Sequence, residues 1–363
     1  MKIGILTFHW AHNYGAVLQA HGLCQVLRRL GHTVQFIDYA SAGMRLPWWQ
    51  GWGLRSGNVI VRTAWRLRFD RFHRRYLPTT RRCRTTEQLR AIAEDFDAVI
   101  VGSDQVWNGN IFDAFDPAYF LDFVDNSRCR RISYAACFGE PLQPKDTLAK
   151  AGPLLSRFDF LSVRNELSAA IVQDLSGRNS EVVLDPTMLH DYSEFLGQRA
   201  KQDGYIAAYN LPQKHHAIGQ EVLRIVKEKL GLPVILIGAN TQNKRVDRWL
   251  VSAGPVQWLR LLQGASFICT NSFHGTIFAV KFKRPYIAWS GDSQGQGRFR
   301  GRGPVRIENF LATCGLENRL VIAPDATEIQ GLVDDTIDYD AVSKRISPCI
   351  SRSLAFLKRA LTS

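Results

Sequence analysis

The spacing of apolar residues alternates along the chain between a strand pattern and a helix pattern. Residues 2–7 form a short β-rich run, and residues 14–30 carry apolar side chains at intervals of three and four, which predicts a helix. Gly31 ends that helix, and residues 33–38 predict the next strand. A strand, a helix and a second strand in this order predict a right-handed crossover within a parallel sheet.

The same alternation continues and predicts two lobes of one architecture. Further strands are predicted at 97–101, 131–136, 160–163, 181–184, 205–209, 233–237, 266–270 and 285–289, with a polar boundary near 198–204. The length of 363 residues also corresponds to about two domains. We therefore predict an α/β fold of two Rossmann-like lobes, residues 1–200 and 201–345, followed by a C-terminal helix at 346–363. Residues 39–58 and 290–303 predict long loops.

The composition excludes several classes of protein. A hydrophobic fraction of 45% and a charged fraction of 22% are typical of a soluble globular chain. The uncharged apolar runs are far shorter than the ~20 residues of a membrane-spanning helix, and the N-terminus is unlike a signal peptide. The seven cysteines include no C-x-x-C pair, which indicates reduced thiols rather than disulfides or zinc ligands. We expect a cytoplasmic protein.

The net charge of +13 predicts an anionic partner. Residues 62–90 contain ten arginines, and Trp65, Phe69, Phe72 and Tyr76 recur there at helical spacing. Such a helix can lie on a membrane surface, or its aromatic stripe can pack on the protein's own core and leave a solvated basic face.

Ligands of parallel α/β sheets bind at the carboxyl ends of strands, beside helix N-termini that favour anions. His274 follows the predicted strand at 266–270 and opens the next helix, so it is the best candidate for a general acid or base. The alternative is a buried histidine in a turn that Ser272 caps.

A second candidate site follows the strand at 97–101. Ser103, Asp104 and Gln105 can bond sugar hydroxyls, and Trp107 can offer a face on which a sugar stacks. A plain turn with a tryptophan in the core explains the same residues.

Two further strand ends carry candidate residues. Arg164 follows the strand at 160–163 and can clamp a phosphate or carboxylate, although a structural salt bridge is an equal alternative. At the start of the first helix, Asn13 and Gly15 allow close approach of a ligand, although an N-cap alone explains Asn13.

Several familiar motifs are absent from the sequence. There is no G-x-G-x-x-G, Walker A or H-E-x-x-H motif, and the nine histidines include no convincing metal set. We therefore expect neither a metal nor a cofactor.

Eight short motifs occur in a fixed order along the chain: KIGI (2–5), NYGA (13–16), VGSDQVWN (101–108), ISYAA (132–136), SVR (162–164), LDPT (184–187), AGP (253–255) and TNSFHGT (270–276). In this order and spacing the chain resembles the polysaccharide pyruvyl transferase family over about residues 2–320. The resemblance implies a GT-B-like fold, in which two Rossmann-like lobes face a central cleft. It also implies transfer of the pyruvyl group of phosphoenolpyruvate to a sugar diol, which forms a cyclic ketal and releases phosphate.

The same resemblance implies roles for individual residues. His274 would be the catalytic acid or base, and Arg164 with the backbone of Ser272 and Gly275 would bind phosphoenolpyruvate. Arg306 resembles a late arginine of the family's second lobe, on the phosphoenolpyruvate side. The expected acceptor-sugar residues, on the side of the first lobe, are Asn13, Tyr14, Gly15, Ser103, Asp104, Gln105 and Trp107.

The expected partners are phosphoenolpyruvate and a sugar or lipid-linked oligosaccharide acceptor, with membrane contact through Arg62–Arg90 at the inner face of the cytoplasmic membrane and no nucleic acid. Two alternatives stay open. One is a glycosyltransferase of the GT-B fold that uses a nucleotide sugar, and the other is a noncatalytic protein that binds anions or membrane surfaces.

Overall fold

In the computed structural model of the chain, the described residues are 1–39, 41, 59–125, 128–197, 204–211, 217–238, 246–290, 305–323 and 325–362. Most of the two predicted loops, 39–58 and 290–303, and of the polar boundary at 198–204 lies outside them.

The first sheet is parallel throughout, and its strands lie in the order β2-β1-β3-β4. Their bounds are Lys2–Leu6 (β1), Thr33–Phe36 (β2), Ala98–Val101 (β3) and Arg130–Ser133 (β4). A parallel pair, β5 (Ser162–Val163) and β6 (Glu181–Val182), continues this series, and single bridges from Ile132 to Phe160 and from Ala136 to Val163 join it to the sheet.

The second sheet is also parallel, in the order β12-β11-β10-β7-β8-β9. Its strands are Ile206–Tyr209 (β7), Val234–Ile237 (β8), Arg248–Leu250 (β9), Phe267–Thr270 (β10), Tyr286–Trp289 (β11) and Leu320–Val321 (β12). The adjacent strands β7 and β10 are buried at every position, as expected of parallel strands that are covered on both faces. The predicted α/β fold with two parallel sheets is confirmed.

Helices connect these strands. In chain order they are Tyr14–Arg29 (α1), Val59–Tyr76 (α2), Thr86–Ala93 (α3), Lys145–Leu155 (α4), Glu166–Ser176 (α5), Pro186–Leu189 (α6), Ala217–Leu230 (α7), Pro255–Gly264 (α8), Phe273–Lys281 (α9), Val305–Cys314 (α10), Ala326–Asp334 (α11) and Tyr339–Thr362 (α12). Over the described ranges, none of these helices is both long and apolar enough to cross a bilayer.

The chain divides into two compact units that are not continuous in sequence. Unit 1 comprises Met1–Leu46, His73–Asp191 and Ser347–Ser363, and unit 2 comprises Pro47–Phe72 and Tyr192–Ile346. This division differs from the predicted lobes, 1–200 and 201–345, because the chain enters unit 2 at Tyr192 and because 47–72 and 347–363 each belong to the unit that is distant in sequence.

Packing of α2 explains why residues before Phe72 belong to unit 2. Trp65, Phe69 and Phe72 are buried on one face of the helix, and the Phe72 ring lies 5.6 Å from the ring of Phe195. The aromatic stripe therefore packs on the protein's own core, which was one of the two interpretations of the arginine-rich segment.

The C-terminal helix is longer than predicted. It begins at Tyr339 rather than at residue 346, because the Asp338 carboxylate accepts hydrogen bonds from the backbone N–H groups of Asp340 and Ala341, both at 3.0 Å. Asp338 thus satisfies donors that a helix start otherwise leaves unpaired.

The second half of α12 completes unit 1. The hydroxyl of Ser353 accepts a hydrogen bond from the Leu184 N–H at 2.9 Å, and the Phe356 ring lies 6.2 Å from the ring of Tyr134. Arg359 forms an ion pair with Glu181 at 2.6 Å. These contacts hold residues 347–363 against β6 and the residues after β4.

Candidate functional site

The turn between β10 and α9 in unit 2 is built from small hydroxyl side chains. Thr270 Oγ1 donates to the Tyr209 carbonyl at 2.6 Å and accepts from the Ser272 N–H at 3.1 Å. Ser272 Oγ in turn accepts from the Gly275 N–H at 3.3 Å, so Ser272 is the N-cap of α9. The turn is thus fixed by hydrogen bonds before any ligand is considered.

Asn271 ties this turn to the end of a neighbouring strand. Its side-chain oxygen accepts from the Leu211 N–H at 2.6 Å, and its side-chain nitrogen donates to the Leu211 carbonyl at 2.9 Å. This two-pronged amide contact connects the residues after β10 with those after β7, two strands that pair in the sheet. The role of Asn271 could not be predicted from the sequence, because its partner lies 60 residues away.

His274 lies in the first turn of α9 and is 7% exposed. Its ring meets the ring of Phe273 edge to face, with 5.1 Å between the centroids. The positive end of the helix dipole at this position favours a nearby anion. The position predicted for His274, after a strand and at a helix start, is therefore confirmed. Both features of the alternative, a buried ring and a turn capped by Ser272, are also present, and the catalytic role of His274 stays a prediction.

The two amide groups expected to bind phosphoenolpyruvate are engaged within the turn. The Ser272 N–H donates to Thr270, and the Gly275 N–H donates to Ser272, as described above. Glycine is needed at position 275 because a Cβ there would lie 2.3 Å from Thr270 Oγ1. The structure therefore explains Ser272 and Gly275 by the architecture of the turn.

Arg306 reaches the same turn from another helix. It lies on α10 and not in a loop, because α10 begins at Val305. Its guanidinium carbon is 5.8 Å from the centre of the Phe273 ring, a cation–π contact. Phe273 is thus in contact with both Arg306 and His274, so two of the predicted residues are brought to one aromatic ring.

In unit 1 the residues after β3, β5 and β6 form a buried ionic cluster. Arg164 Nη1 donates to Asp185 Oδ2 at 2.9 Å, and Arg164 Nη2 lies 3.6 Å from Asp104 Oδ1. Burial opposes the charge of Arg164, but Cys137, Asp104 and Asp185 outweigh burial and raise the pKa of the guanidinium. The salt-bridge interpretation of Arg164 is therefore confirmed, while phosphate binding stays a prediction.

Asp185 accepts hydrogen bonds from several members of this cluster. Its Oδ2 also accepts from Ser103 Oγ at 3.2 Å, and its Oδ1 accepts from the Thr187 N–H at 3.0 Å and from Thr187 Oγ1 at 2.7 Å. Four donors thus converge on one carboxylate that is almost fully buried. Asp185 stands in the motif LDPT of the sequence, and that motif alone did not predict its role.

The turn after β3 holds Asp104 and Gln105 in different environments. Asp104 adopts a left-handed backbone conformation with φ of 77°, and its side chain is partly exposed. Gln105 Oε1 accepts from Asn108 Nδ2 at 2.9 Å and is buried. Asp104 is therefore the more accessible of the two predicted sugar-binding residues.

Trp107 does not offer a stacking face. The side chain is 1% exposed, its Nε1 donates to the Tyr119 carbonyl at 2.8 Å, and its ring stacks on Phe120 with 5.6 Å between centroids. The structure favours the alternative of a core tryptophan, because aromatic residues distant in sequence enclose the indole.

At the start of α1, Asn13 is the N-cap, and its Oδ1 accepts from the Ala16 N–H at 3.1 Å. Tyr14 and Gly15 are buried in the first turn. The N-cap interpretation of Asn13 is confirmed, and sugar binding by these three residues stays a prediction.

Four histidines of unit 1 lie in two ring pairs. His12 stacks on His73 with 5.8 Å between centroids, and His21 meets His190 edge to face at 5.3 Å. The expected absence of a metal stays a prediction.

Residues 13–293 match the family described as polysaccharide pyruvyl transferase. No curated protein matches the sequence.

Among solved structures, the chain resembles a UDP-GlcNAc 2-epimerase from Neisseria meningitidis bound to UDP-GlcNAc, with 10% identity, a TM-score of 0.57 and coverage of 99% of each chain. A putative UDP-N-acetylglucosamine 2-epimerase from Listeria monocytogenes gives 10% identity and a TM-score of 0.57, with 100% of this chain and 96% of that chain covered. The enzyme of that type from Methanocaldococcus jannaschii gives 12% identity and a TM-score of 0.51, with 93% of each chain covered. At these identities the likeness shows the fold, which is GT-B-like.

Proposed function

Because the chain belongs to the polysaccharide pyruvyl transferase family, we propose that it transfers the pyruvyl group of phosphoenolpyruvate to a sugar diol of a polysaccharide or lipid-linked oligosaccharide precursor. The products are a cyclic ketal on the sugar and inorganic phosphate.

The observation that carries the proposal is the position of His274. An imidazole in the first turn of α9 combines a group that can carry a proton with the positive end of a helix dipole. Phosphoenolpyruvate needs both, because it is a polyanion that must be protonated on carbon. Arg306, which also contacts Phe273, adds a positive charge to this turn.

The reaction can be written with few groups. His274 gives a proton to the methylene carbon, and the cationic centre that develops at C2 is attacked by the first sugar hydroxyl. Phosphate then leaves from C2, and the second sugar hydroxyl attacks and closes the ring. Of the two hydroxyl protons, one restores His274 for the next turnover and the other is taken up by the departing phosphate. Neither electrons nor a further reactant are required.

The cluster of unit 1 supplies the other groups of the proposal. Arg164 is held in advance by Asp104 and Asp185, so its guanidinium needs no ordering to meet the anionic substrate. Asp104, with its partly exposed carboxylate, is proposed to accept a hydrogen bond from an acceptor hydroxyl.

The test incubates the protein with phosphoenolpyruvate and acceptors that carry galactose, mannose, glucose or N-acetylmannosamine. We expect release of phosphate and an acceptor mass increased by one pyruvyl ketal. His274→Asn should reduce phosphate release by at least about a hundredfold, the usual contribution of general acid catalysis. His32→Asn is the control, because His32 belongs to unit 1 and precedes the edge strand β2, away from the predicted site residues of the chain.

Two outcomes would contradict the proposal. Near-normal turnover of His274→Asn would remove His274 from the mechanism. Release of UDP from a nucleotide sugar, with no consumption of phosphoenolpyruvate, would assign the chain to glycosyl transfer instead.

A further inference from the structure

The outer face of α2 carries exposed aliphatic side chains among arginines. Ile60 is 79% exposed, Val59 67% and Leu67 56%. They are three of the six large hydrophobic side chains that are exposed in the described part of the chain, and all three fall within nine residues. An exposed leucine by itself needs no explanation, but a cluster of this kind does.

The helical spacing places these residues on one side. Ile60, Thr63, Leu67, Arg71 and Arg74 are separated by three or four residues, so they follow one stripe of the helix, and all five are exposed. Arg66 and Val59 lie beside the stripe and are exposed too. Asp70 is the only acidic residue of α2, against six arginines.

The opposite side of α2 is anchored in unit 2. Trp65 and Phe69 are buried there, with 4.9 Å between their ring centroids. Arg68 donates to the carbonyl of Ser252, to Ser252 Oγ at 3.1 Å and to Gln257 Oε1 at 3.3 Å. The exposed aliphatic groups therefore belong to a helix whose orientation is already fixed, and they are not taken up by its own core.

We propose that the stripe Ile60–Arg74 of α2 docks the protein on the surface of an anionic lipid bilayer. The guanidinium groups of arginines pair with acidic lipid head groups. The long aliphatic part of each arginine can lie in the apolar layer while its guanidinium stays in the polar layer. Ile60 and Leu67 leave water when they enter that boundary. A nucleic acid would satisfy the arginines but would offer nothing to two exposed aliphatic side chains, so a bilayer fits the pattern better.

The test measures co-sedimentation of the full chain with vesicles of phosphatidylcholine, with and without phosphatidylglycerol. We expect binding to the vesicles that contain phosphatidylglycerol. Arg66→Glu with Arg71→Glu should weaken that binding at least about 25-fold, since each arginine near an acidic membrane contributes about fivefold. Ile60→Ser with Leu67→Ser should weaken it at least about tenfold.

Two control variants carry the same chemical changes elsewhere. Arg352→Glu with Lys358→Glu changes the net charge equally on exposed positions of α12, and Leu142→Ser with Ile322→Ser removes two other exposed aliphatic groups. Both should bind as the parent protein does. Circular dichroism and phosphate release with a water-soluble acceptor should be unchanged in all four variants, so that a loss of docking is separable from a loss of the proposed activity.

Three results would overturn the proposal. They are absence of binding to phosphatidylglycerol vesicles, equal losses in the α12 control and the α2 charge variant, and full binding by Ile60→Ser with Leu67→Ser. Full binding by Ile60→Ser with Leu67→Ser would mean that the aliphatic side chains contribute nothing and that charge alone attracts the protein to the vesicles.

Discussion

At the scale of single residues, the strand ends of the two units are organised by different polar chemistry. In unit 1 a buried arginine is neutralised by Asp104 and Asp185. In unit 2 the corresponding turn uses hydroxyl groups and one amide, and its cation, Arg306, lies over an aromatic ring. Substitutions at the two turns are therefore expected to lower the free energy of unfolding by different amounts.

Asp185→Asn should destabilise the protein by about 3–5 kcal/mol, because it removes a carboxylate that is paired with the buried guanidinium of Arg164. Urea unfolding of the variant measures this. Asp125→Asn is the control, because Asp125 pairs with Arg157 and Arg90 at the surface, where such pairs contribute at most about 1 kcal/mol.

A double variant tests whether Asp185 acts by holding Arg164 in place or only by stabilising the fold. If Asp185 acts by holding Arg164, then Arg164→Met with Asp185→Asn should recover part of the lost stability but not the turnover of phosphoenolpyruvate. Equal free energies of unfolding for Asp185→Asn and Asp125→Asn would show that the buried pair is not what Asp185 contributes.

His9 makes stability depend on pH. Burial lowers its pKa to about 4, although Asp38 acts in the opposite direction. The unfolded chain therefore binds more protons than the folded chain between the unfolded pKa of about 6.5 and the folded value. The contribution of neutral His9 to the free energy of unfolding is complete above pH 6.5 and is lost as the pH falls. The loss between pH 7 and pH 5 is about 2 kcal/mol.

Urea unfolding at these two pH values tests the sign. His9→Phe keeps a ring against Phe36, on which His9 stacks at 5.1 Å, and should remove most of the difference between the two pH values. If the variant retains the full difference, other groups cause it.

The residue scale also shows what sequence reasoning can and cannot find. The caps Asn13 and Ser272 were predictable because a cap bonds to a group only three residues away. The burial of Trp107 and the bonds that Asp185 accepts from Arg164 and Ser103 depend on groups from other segments, so no local pattern shows them.

At the scale of elements, the start of α9 depends on contact between a glycine and a threonine. Gly275→Ala would place a Cβ 2.3 Å from Thr270 Oγ1, inside a turn that is fixed by hydrogen bonds. We expect a loss of about 1–3 kcal/mol, measured by urea unfolding.

Gly331→Ala gives the opposite expectation. Gly331 lies within α11, and a Cβ there would meet nothing within 4 Å. Alanine should therefore stabilise the protein by up to about 1 kcal/mol through its helix propensity. If both variants shift the free energy of unfolding in the same direction, the contact with Thr270 does not explain Gly275.

Elements with strong internal patterns were predicted well, and those next to irregular sequence were not. The strand β10 is four buried residues between two helices, and its position was found within one residue. The helix α10 follows glycine-rich residues and was not among the predicted elements. The strand β9 was missed because it is a short edge strand with Arg248 and Trp249 exposed.

At the scale of the whole molecule, the alternation of strands and helices was sufficient to predict two parallel sheets. It did not predict which segments belong to each unit. A helical pattern of apolar residues predicts that one face of the helix is buried, but it does not identify the residues against which that face packs. Residues 47–72 and 347–363 were therefore assigned by proximity in sequence, whereas packing of Phe72 and Phe356 decides their place.

The net charge of +13 leads to a prediction for the proposed reaction. Raising monovalent salt from about 0.1 M to about 1 M shortens the Debye length from about 10 Å to about 3 Å and weakens the attraction of a polyanion to the protein. The KM for phosphoenolpyruvate should rise severalfold, while kcat should change little.

Steady-state phosphate release measures both constants, with sucrose as a neutral co-solute for comparison. A KM that is independent of salt would mean that long-range charge contributes nothing to capture of the substrate.

The interleaved division of the chain has a consequence for biosynthesis. Residues 347–363, which bring Ser353 to Leu184 and Phe356 to Tyr134, are translated after all of unit 2. While the ribosome is still making unit 2, the nascent first unit lacks its last helix and exposes the apolar surface around Tyr134 to the surrounding solution. Chaperones that bind such surfaces would find their target during this interval, and a fragment cut at Asp191 would keep it exposed permanently.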